Sequence, residues 1–327
     1  MINKSVQRYF LGPIIVSVVV LALVGFFVGS AAFITAALLA LLEVTLSFDN
    51  AIVNAKVLEA MSPQWQKRFL TWGILFAVVG TRLILPILVV SIIAGISPIL
   101  ISQLVVYNPE MYAQLLGNTH HAINAFGTGF LAMLALKYFF NVNKRDHWIG
   151  AFEAKLSKLG SIEEIEIGLV LILLLVVSFA SGGEGATILS AGIVGLLLFI
   201  IMEGVIHTIS TNSLHAVQTG LAGFIYLNVL DSAFSLDGVI GAFAISSNVL
   251  VIAVGLGIGA YFVRVLTMYM VQEKTINSIK YLEHGAHWAI LGLALCMAAS
   301  LVFHVPEVLI ALIGLCIIGA SFVTSLR

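Results

Sequence analysis

The stretch "LLEVTLSFDNAIVNAK", residues 41–56, sets two carboxylates, Glu43 and Asp49, beside Ser47, Asn50 and Asn54 in an otherwise apolar run. Its meaning depends on whether that run crosses a membrane. A carboxylate in hydrocarbon costs about 2.5–3.5 kcal/mol even on lenient insertion scales, so a cluster there demands a compensating charge or a wet cavity. The rest of the chain settles the solvent: 61% of the 327 residues are hydrophobic, 9% are charged, and the mean hydropathy is +1.12. These values lie far outside those of soluble domains and mark a polytopic membrane protein.

Apolar runs of roughly 20 residues, long enough to cross a bilayer, predict about ten spans. They fall near 10–30, 32–60, 69–95, 122–141, 165–181, 186–206, 214–246, 248–271, 282–303 and 305–325. The expected fold is all-α, a polytopic transmembrane helix bundle forming one domain over 1–327. Lys4, Arg8, Lys67, Arg68, Lys144, Arg145, Lys155, Lys158, Lys274 and Lys280 all fall on one side of a ten-span chain. Retention of positive charge in the cytoplasm then predicts cytoplasmic termini and a bacterial inner-membrane location.

The loop "VNKRDHWIGAFEAKLSKLGSIEE", 142–164, reads as a solvated cytoplasmic segment with a short amphipathic helix. "MINKSVQRYF" leads into the first span without a small-residue cleavage site, so a retained span is expected rather than a removed signal peptide. Cys296 and Cys316 lie in apolar segments and read as small hydrophobes. With a net charge of −1 and no basic face, nucleic acid is not an expected partner; the lipid bilayer is.

The opening stretch has a partner. Residues 41–54 read "LLEVTLSFDNAIVN" and residues 229–242 read "VLDSAFSLDGVIGA", aligning Glu43, Ser47 and Asp49 with Asp231, Ser235 and Asp237. An arginine follows each motif in the next span, Arg82 in "VVGTRLILP" and Arg264 in "AYFVRVLTM". The copies fall in the second and seventh spans, which cross in opposite directions. That is the signature of an inverted repeat, about 32–141 and 214–303, whose axis brings both motifs to the bilayer midplane.

Four carboxylates would then face one another, with Arg82 and Arg264 compensating part of their charge. A divalent cation would neutralise the excess, its hard-oxygen shell completed by Ser47, Asn50 and Ser235. At about 100° per residue, Glu43, Ser47, Asn50 and Asn54 share one helix face and Asp49 lies about 120° off it. Either the helix is unwound near Ser47–Asn50, or Asp49 meets a second neighbour. Gly238 and Gly241 would ease a similar break in the second copy. The alternative is a pair of buried ion pairs that only fix packing.

Asn54, Glu203 and His207 offer a secondary polar path, although a capped interfacial helix end is the preferred reading of Glu203 and His207. Glu283, His284 and His287 open the ninth span, and Lys137 closes the fourth, where it can snorkel to the interface.

"EVTLSFDNA" with "DSAFSLDG" resembles the paired Ser-x-Asp motifs of the TerC-like integral membrane family, the tellurium-resistance-related proteins. "AFGTGFLAMLALKYFF" and "LEHGAHWAILGLAL" are similar to an uncharacterised branch of it. The resemblance covers about residues 40–300 and implies membership of the LysE-like transporter superfamily, whose relatives include exporters of Mn2+ and other cations. Carried over, it assigns Glu43, Ser47, Asp49 and Asn50 to one motif and Asp231, Ser235 and Asp237 to the other. Gly238 stands where the first copy has Asn50, and Lys137 stands where that branch leads one to expect an acid.

The expected function is export of a divalent metal, Mn2+ foremost, with Ca2+ or Mg2+ equally compatible with oxygen ligands. Protons are the expected coupling ion, and without a nucleotide-binding motif no organic cofactor is expected. Two other functions were weighed: an intramembrane aspartyl protease using Asp49 and Asp237, whose Tyr-Asp and Gly-x-Gly-Asp contexts are missing, and a non-transporting component of a stress-response complex.

Overall fold

The structure is a computed structural model that describes residues 4–211, 215–246, 248–274, 279–303 and 305–326. The side chains of 4–6, 205–211, 215–219, 236, 237, 244, 307, 308 and 311 are outside the description. Every regular element among the described residues is helical. In chain order these are α1 (Lys4–Phe27), α2 (Ser30–Leu46), α3 (Phe48–Glu59), α4 (Pro63–Leu75), a π-helix (Phe76–Ile84) and α5 (Leu85–Ala94). Next come α6 (Pro98–Tyr107), α7 (Pro109–Asn118), α8 (His120–Phe139), α9 (Gly150–Leu159) and α10 (Ile165–Ala180). A 3-10 turn (Gly182–Glu184) leads into α11 (Gly185–Thr211), α12 (His215–Ile245), α13 (Val249–Gln272), α14 (Leu282–Ser300) and α15 (Glu307–Ser325).

Among the described residues, five stretches are helical for long enough, and apolar enough, to cross a membrane: Gln7–Phe27, Pro63–Ala94, His120–Phe139, Gly182–Gly204 and Val249–Gln272. The bent pair α2–α3 makes a sixth if taken as one span. The chain is therefore an all-α membrane protein, and Phe26, Ile92 and Phe179, each at least 80% exposed, belong against lipid rather than water. This is fewer than the ten runs read from hydropathy. Pro98–Tyr107 and Ile165–Ala180 are apolar but short, α14 opens on Glu283, His284 and His287, and the side chains of α12 and α15 are described only in part.

The chain divides into two compact units. The first comprises Met1–His120 and Gly223–Thr275. Within it α13 lies directly on α2, because Gly255 and Gly259 present bare backbone one turn apart. A Cβ at Gly255 would stand 2.6 Å from that of Leu39, and one at Gly259 would overlap the side chain of Glu43. Close helix approach through small residues supplies the packing that hydrophobicity cannot drive between spans in lipid.

The second unit comprises His121–Ala222 and Ile276–Arg327. Here α8 and α11 approach through Gly129 and Gly195, where a Cβ would overlap the carbonyls of Gly192 and Phe126. The amphipathic helix expected in the 142–164 loop is α9, and it is anchored rather than free. Glu153, fully buried, accepts hydrogen bonds from Lys144 Nζ (3.1 Å), the Trp148 and Ile149 amides (3.1 and 3.4 Å), Trp288 Nε1 (2.8 Å) and His284 Nδ1 (2.8 Å). Burial alone would raise its pKa, but the bonds from His284 and Trp288, with the Lys144 charge, outweigh it and hold the carboxyl well below the usual range.

A carboxyl depressed in the folded state stabilises fully above its unfolded pKa, near 4.5, and loses that stabilisation as pH falls toward the folded value. Lowering the pH from about 6 to about 3 should expose residues 142–164 to limited proteolysis. Glu153→Gln should do so at neutral pH, at a cost of about 3–5 kcal/mol, because buried Lys144 would lose the carboxylate it is bonded to. On the first unit, Gly259→Val should lower the thermal stability of the detergent-solubilised protein by about 1–3 kcal/mol through overpacking. Gly314→Ala, where a Cβ would meet nothing within 4 Å, should be near neutral in the same measurement.

Candidate functional site

The residues of both motifs whose side chains are described lie in the first unit, on α2, α3 and α12. Glu43 closes the buried face of α2, which ends at Leu46. Ser47 (φ −98°, ψ 15°) interrupts the helix, and α3 resumes at Phe48, bent by 54°. Of the two geometries open to the sequence, the chain adopts the break. Ser47 Oγ donates to Glu43 Oε1 (3.2 Å), and Asn54 Nδ2 donates to Asn50 Oδ1 (2.7 Å), each pair four residues apart. Asp49, 5% exposed, accepts the Asn50 amide (2.8 Å). The second motif carries no corresponding break: α12 runs unbroken through Gly238 and Gly241, so those glycines do not unwind it.

Asn50 Nδ2 donates to Asp231 Oδ1 (3.2 Å), joining residues 181 positions apart. The converse approach is also present. A Cβ at Gly238 would stand 3.3 Å from Glu43 Oε2, so the second motif meets Glu43 with bare backbone where the first meets Asp231 with an amide. Ser235 is buried, and among the described residues its Oγ has no hydrogen-bond partner. The side chain of Asp237 lies outside the described residues.

Each arginine pairs with the acid of its own motif. Arg82 Nη2 donates to Glu43 Oε1, and Arg82 Nη1 donates to the Ala77 carbonyl (2.7 Å) and Thr81 Oγ1 (3.2 Å). Arg264 Nη2 donates to Asp231 Oδ2 (3.0 Å) and Asn228 Oδ1 (3.2 Å). Both arginine side chains are 2% exposed. The Arg264 guanidinium lies 4.3 Å from the centre of the Phe69 ring and against Gly73, where a Cβ would stand 2.5 Å from Nη1. Gly73 is the space the guanidinium occupies, and the ring replaces water on its face.

Arg82 stands on the π-helix. Pro86 accounts for that wide turn: it has no N–H to give the Arg82 carbonyl, and its ring would crowd that carbonyl in a regular α-helix. The Leu85 amide accordingly bonds back five residues, to Gly80.

Among the described residues, Glu43 and Asp231 are thus each paired with a guanidinium while Asp49 is buried without one, and no group of three or more His, Cys, Asp or Glu is close enough to hold a metal ion. The oxygens at hand for a hard cation are those acids, the Asn50 and Asn54 amides and the Ser47 and Ser235 hydroxyls. Glu203 belongs to the second unit, where Lys137 Nζ lies 3.2 Å from Glu166 and 3.7 Å from Glu203. The side chain of His207 is outside the described residues.

Asn228, Phe69, Gly73 and Thr81 complete the site and were not read from the sequence. Asn228 carried a signal, because it precedes Asp231 by three residues and so shares its helix face. Phe69 and Gly73 carried none, since their roles depend on where Arg264 lands.

Fold and site define an all-helical membrane protein with two buried acid–arginine pairs, one of which is bonded by an asparagine of the other motif. Within that class, the chain belongs to the family described as Protein of unknown function (DUF475), whose model matches residues 48–327. The match takes in Asp49, Asn50, both arginines and the whole second motif, and it begins just after Glu43 and Ser47. No curated protein and no solved structure matches the chain.

Gly73→Ala should push the guanidinium from Asp231 and lower thermal stability by about 1–3 kcal/mol. In an Arg264→Met background the same substitution should be nearly neutral, a non-additivity that a double-mutant cycle of melting temperatures would detect.

Proposed function

We propose that the chain is a secondary transporter that exports a divalent metal cation, Mn2+ foremost, by alternating access. The cargo is held by Glu43, Ser47, Asp49, Asn50, Asp231, Ser235 and Asp237. The observation that carries this reading is the buried Asn50–Asp231 hydrogen bond, which ties two acidic motifs from distant parts of an apolar chain into one polar cluster. Buried charge is a poor source of stability, and ionisable groups within spans mark ion pathways by default. With three described carboxylates against two guanidiniums, and Asp237 a fourth in sequence, the surplus is negative and suits a cation. The donors are all hard oxygens, which favours Mn2+, Mg2+ or Ca2+ over soft metals. The preference for Mn2+ rests on the resemblance to TerC-like proteins.

The reading further takes the chain to cross the bacterial inner membrane about ten times as an inverted repeat with cytoplasmic termini, and protons to be the coupling ion. The reciprocal approaches of Asn50 to Asp231 and of Gly238 to Glu43 are what such a two-fold relation would produce.

Purified protein in Mn2+-loaded vesicles provides the test. Asp49→Asn and Asp237→Asn should each lower metal efflux by at least about tenfold, the scale seen when metal-site residues are lost. Undiminished efflux in both variants would exclude the site.

A further inference from the structure

The two arginines are held differently. Arg264 is wedged between a ring and a glycine on α4 and bonded to two side chains of α12. Arg82 stands on the π-helix, and its guanidinium serves two masters there. One nitrogen neutralises Glu43, while the other donates to the Ala77 carbonyl, five residues back, which also accepts from Thr81 Oγ1 (2.7 Å). The ion pair and the wide turn are therefore supported by the same group.

Buried donors are nearly always bonded, and the exceptions call for an explanation. Among the described residues, Arg82 Nε has no hydrogen-bond partner although the residue is 4% exposed, and Arg264 Nε and Nη1 have none either. Unfilled donors therefore mark both guanidiniums, and what separates them is their surroundings, since the Phe69 ring and Gly73 enclose that of Arg264 while Arg82 stands on the wide turn. The surroundings leave room for movement, because the outer side of the π-helix borders an apolar groove of about 490 Å³ lined by Trp72, Phe76, Val79, Gly80 and Phe224. π-Turns inside helices recur at functional sites, and moving such a turn along the helix re-aims the side chains it carries.

We propose that Arg82 is a tethered counter-ion that an incoming cation displaces from Glu43, and that its departure releases the Ala77 carbonyl and lets the Phe76–Ile84 turn rewind. Arg264 stays on Asp231 throughout. This rests on the cation-transport reading and names the device that couples cargo binding to helix movement. Arg82 is a positioning residue: it holds Glu43 while the site is empty and reports its occupation to the helix.

The test uses the full chain in detergent at pH 8, which limits proton competition, with MnCl2 as the only ligand. Isothermal titration should show Arg82→Gln binding Mn2+ at least about tenfold more tightly than wild type, since the built-in competitor is gone, while its turnover in vesicles falls because cargo is no longer expelled. Arg82→Lys, which keeps the charge, should return the affinity to within about threefold of wild type. Hydrogen exchange of the wild-type protein needs no variant to fold: Mn2+ should change exchange across Phe76–Leu85 and leave that around Arg264 unaltered. If wild type binds Mn2+ but Arg82→Gln binds no more tightly, or the Phe76–Leu85 amides do not respond, the counter-ion role is wrong and the transport reading stands. If the wild-type protein binds no Mn2+ at all, both fall together.

Discussion

Ionised side chains inside an apolar helix survive only if each finds an opposite charge or a cluster of dipoles, and this requirement organises the first unit. Glu43 has Arg82 and Asp231 has Arg264. The rest of the local structure follows from making those pairs fit. Gly259 admits the Glu43 side chain between α2 and α13, Gly73 admits the Arg264 guanidinium, and Phe69 covers its face. Replacing one member of a buried pair leaves its partner uncompensated, which costs far more than the intact pair contributes, so these positions depend on one another.

The two units bury carboxylates to different ends. Around Glu153 every approach is filled, by a lysine, two backbone amides, an indole and an imidazole, and the result pins α9 through Trp148, His284 and Trp288. The polar groups of the first unit are less completely served, and among the described residues Ser235 Oγ, Asn54 Oδ1, Arg82 Nε and Arg264 Nε and Nη1 have no partners. A saturated polar network rigidifies what it touches, whereas an incomplete one keeps the capacity to take another partner.

Much of this was legible in the sequence, because membrane insertion constrains composition so strongly. The apolar runs gave the helices, and repetition gave the acidic motifs with their arginines. The spacing placed Glu43, Ser47, Asn50 and Asn54 on one helix face, and Glu43 with Ser47, and Asn50 with Asn54, do bond one another. Hydropathy counts more runs than there are long apolar helices among the described residues, since it does not register that α10 stops at Ala180. The glycines at 238 and 241 suggested a break that did not follow, because a helix packed along its length tolerates glycine. The anchoring of α9 was hidden, since the partners of Glu153 lie as far as 135 residues away and nothing local marks them.

The interruption at Ser47 has an electrostatic consequence. Among the described residues, two backbone bonds bridge it, Ser47 N–H to the Glu43 carbonyl and Ala51 N–H to the Ser47 carbonyl. At that point α2 ends and α3 begins, so the negative pole of one macrodipole abuts the positive pole of the next. Asp49, in the first turn of α3, sits at the pole that favours an anion, while Glu43 lies in the last turn of α2, at the pole that favours a cation. A single serine thereby turns one continuous rod into a bipolar joint, where carboxylate and positive ion can each be met by backbone of the suitable sign.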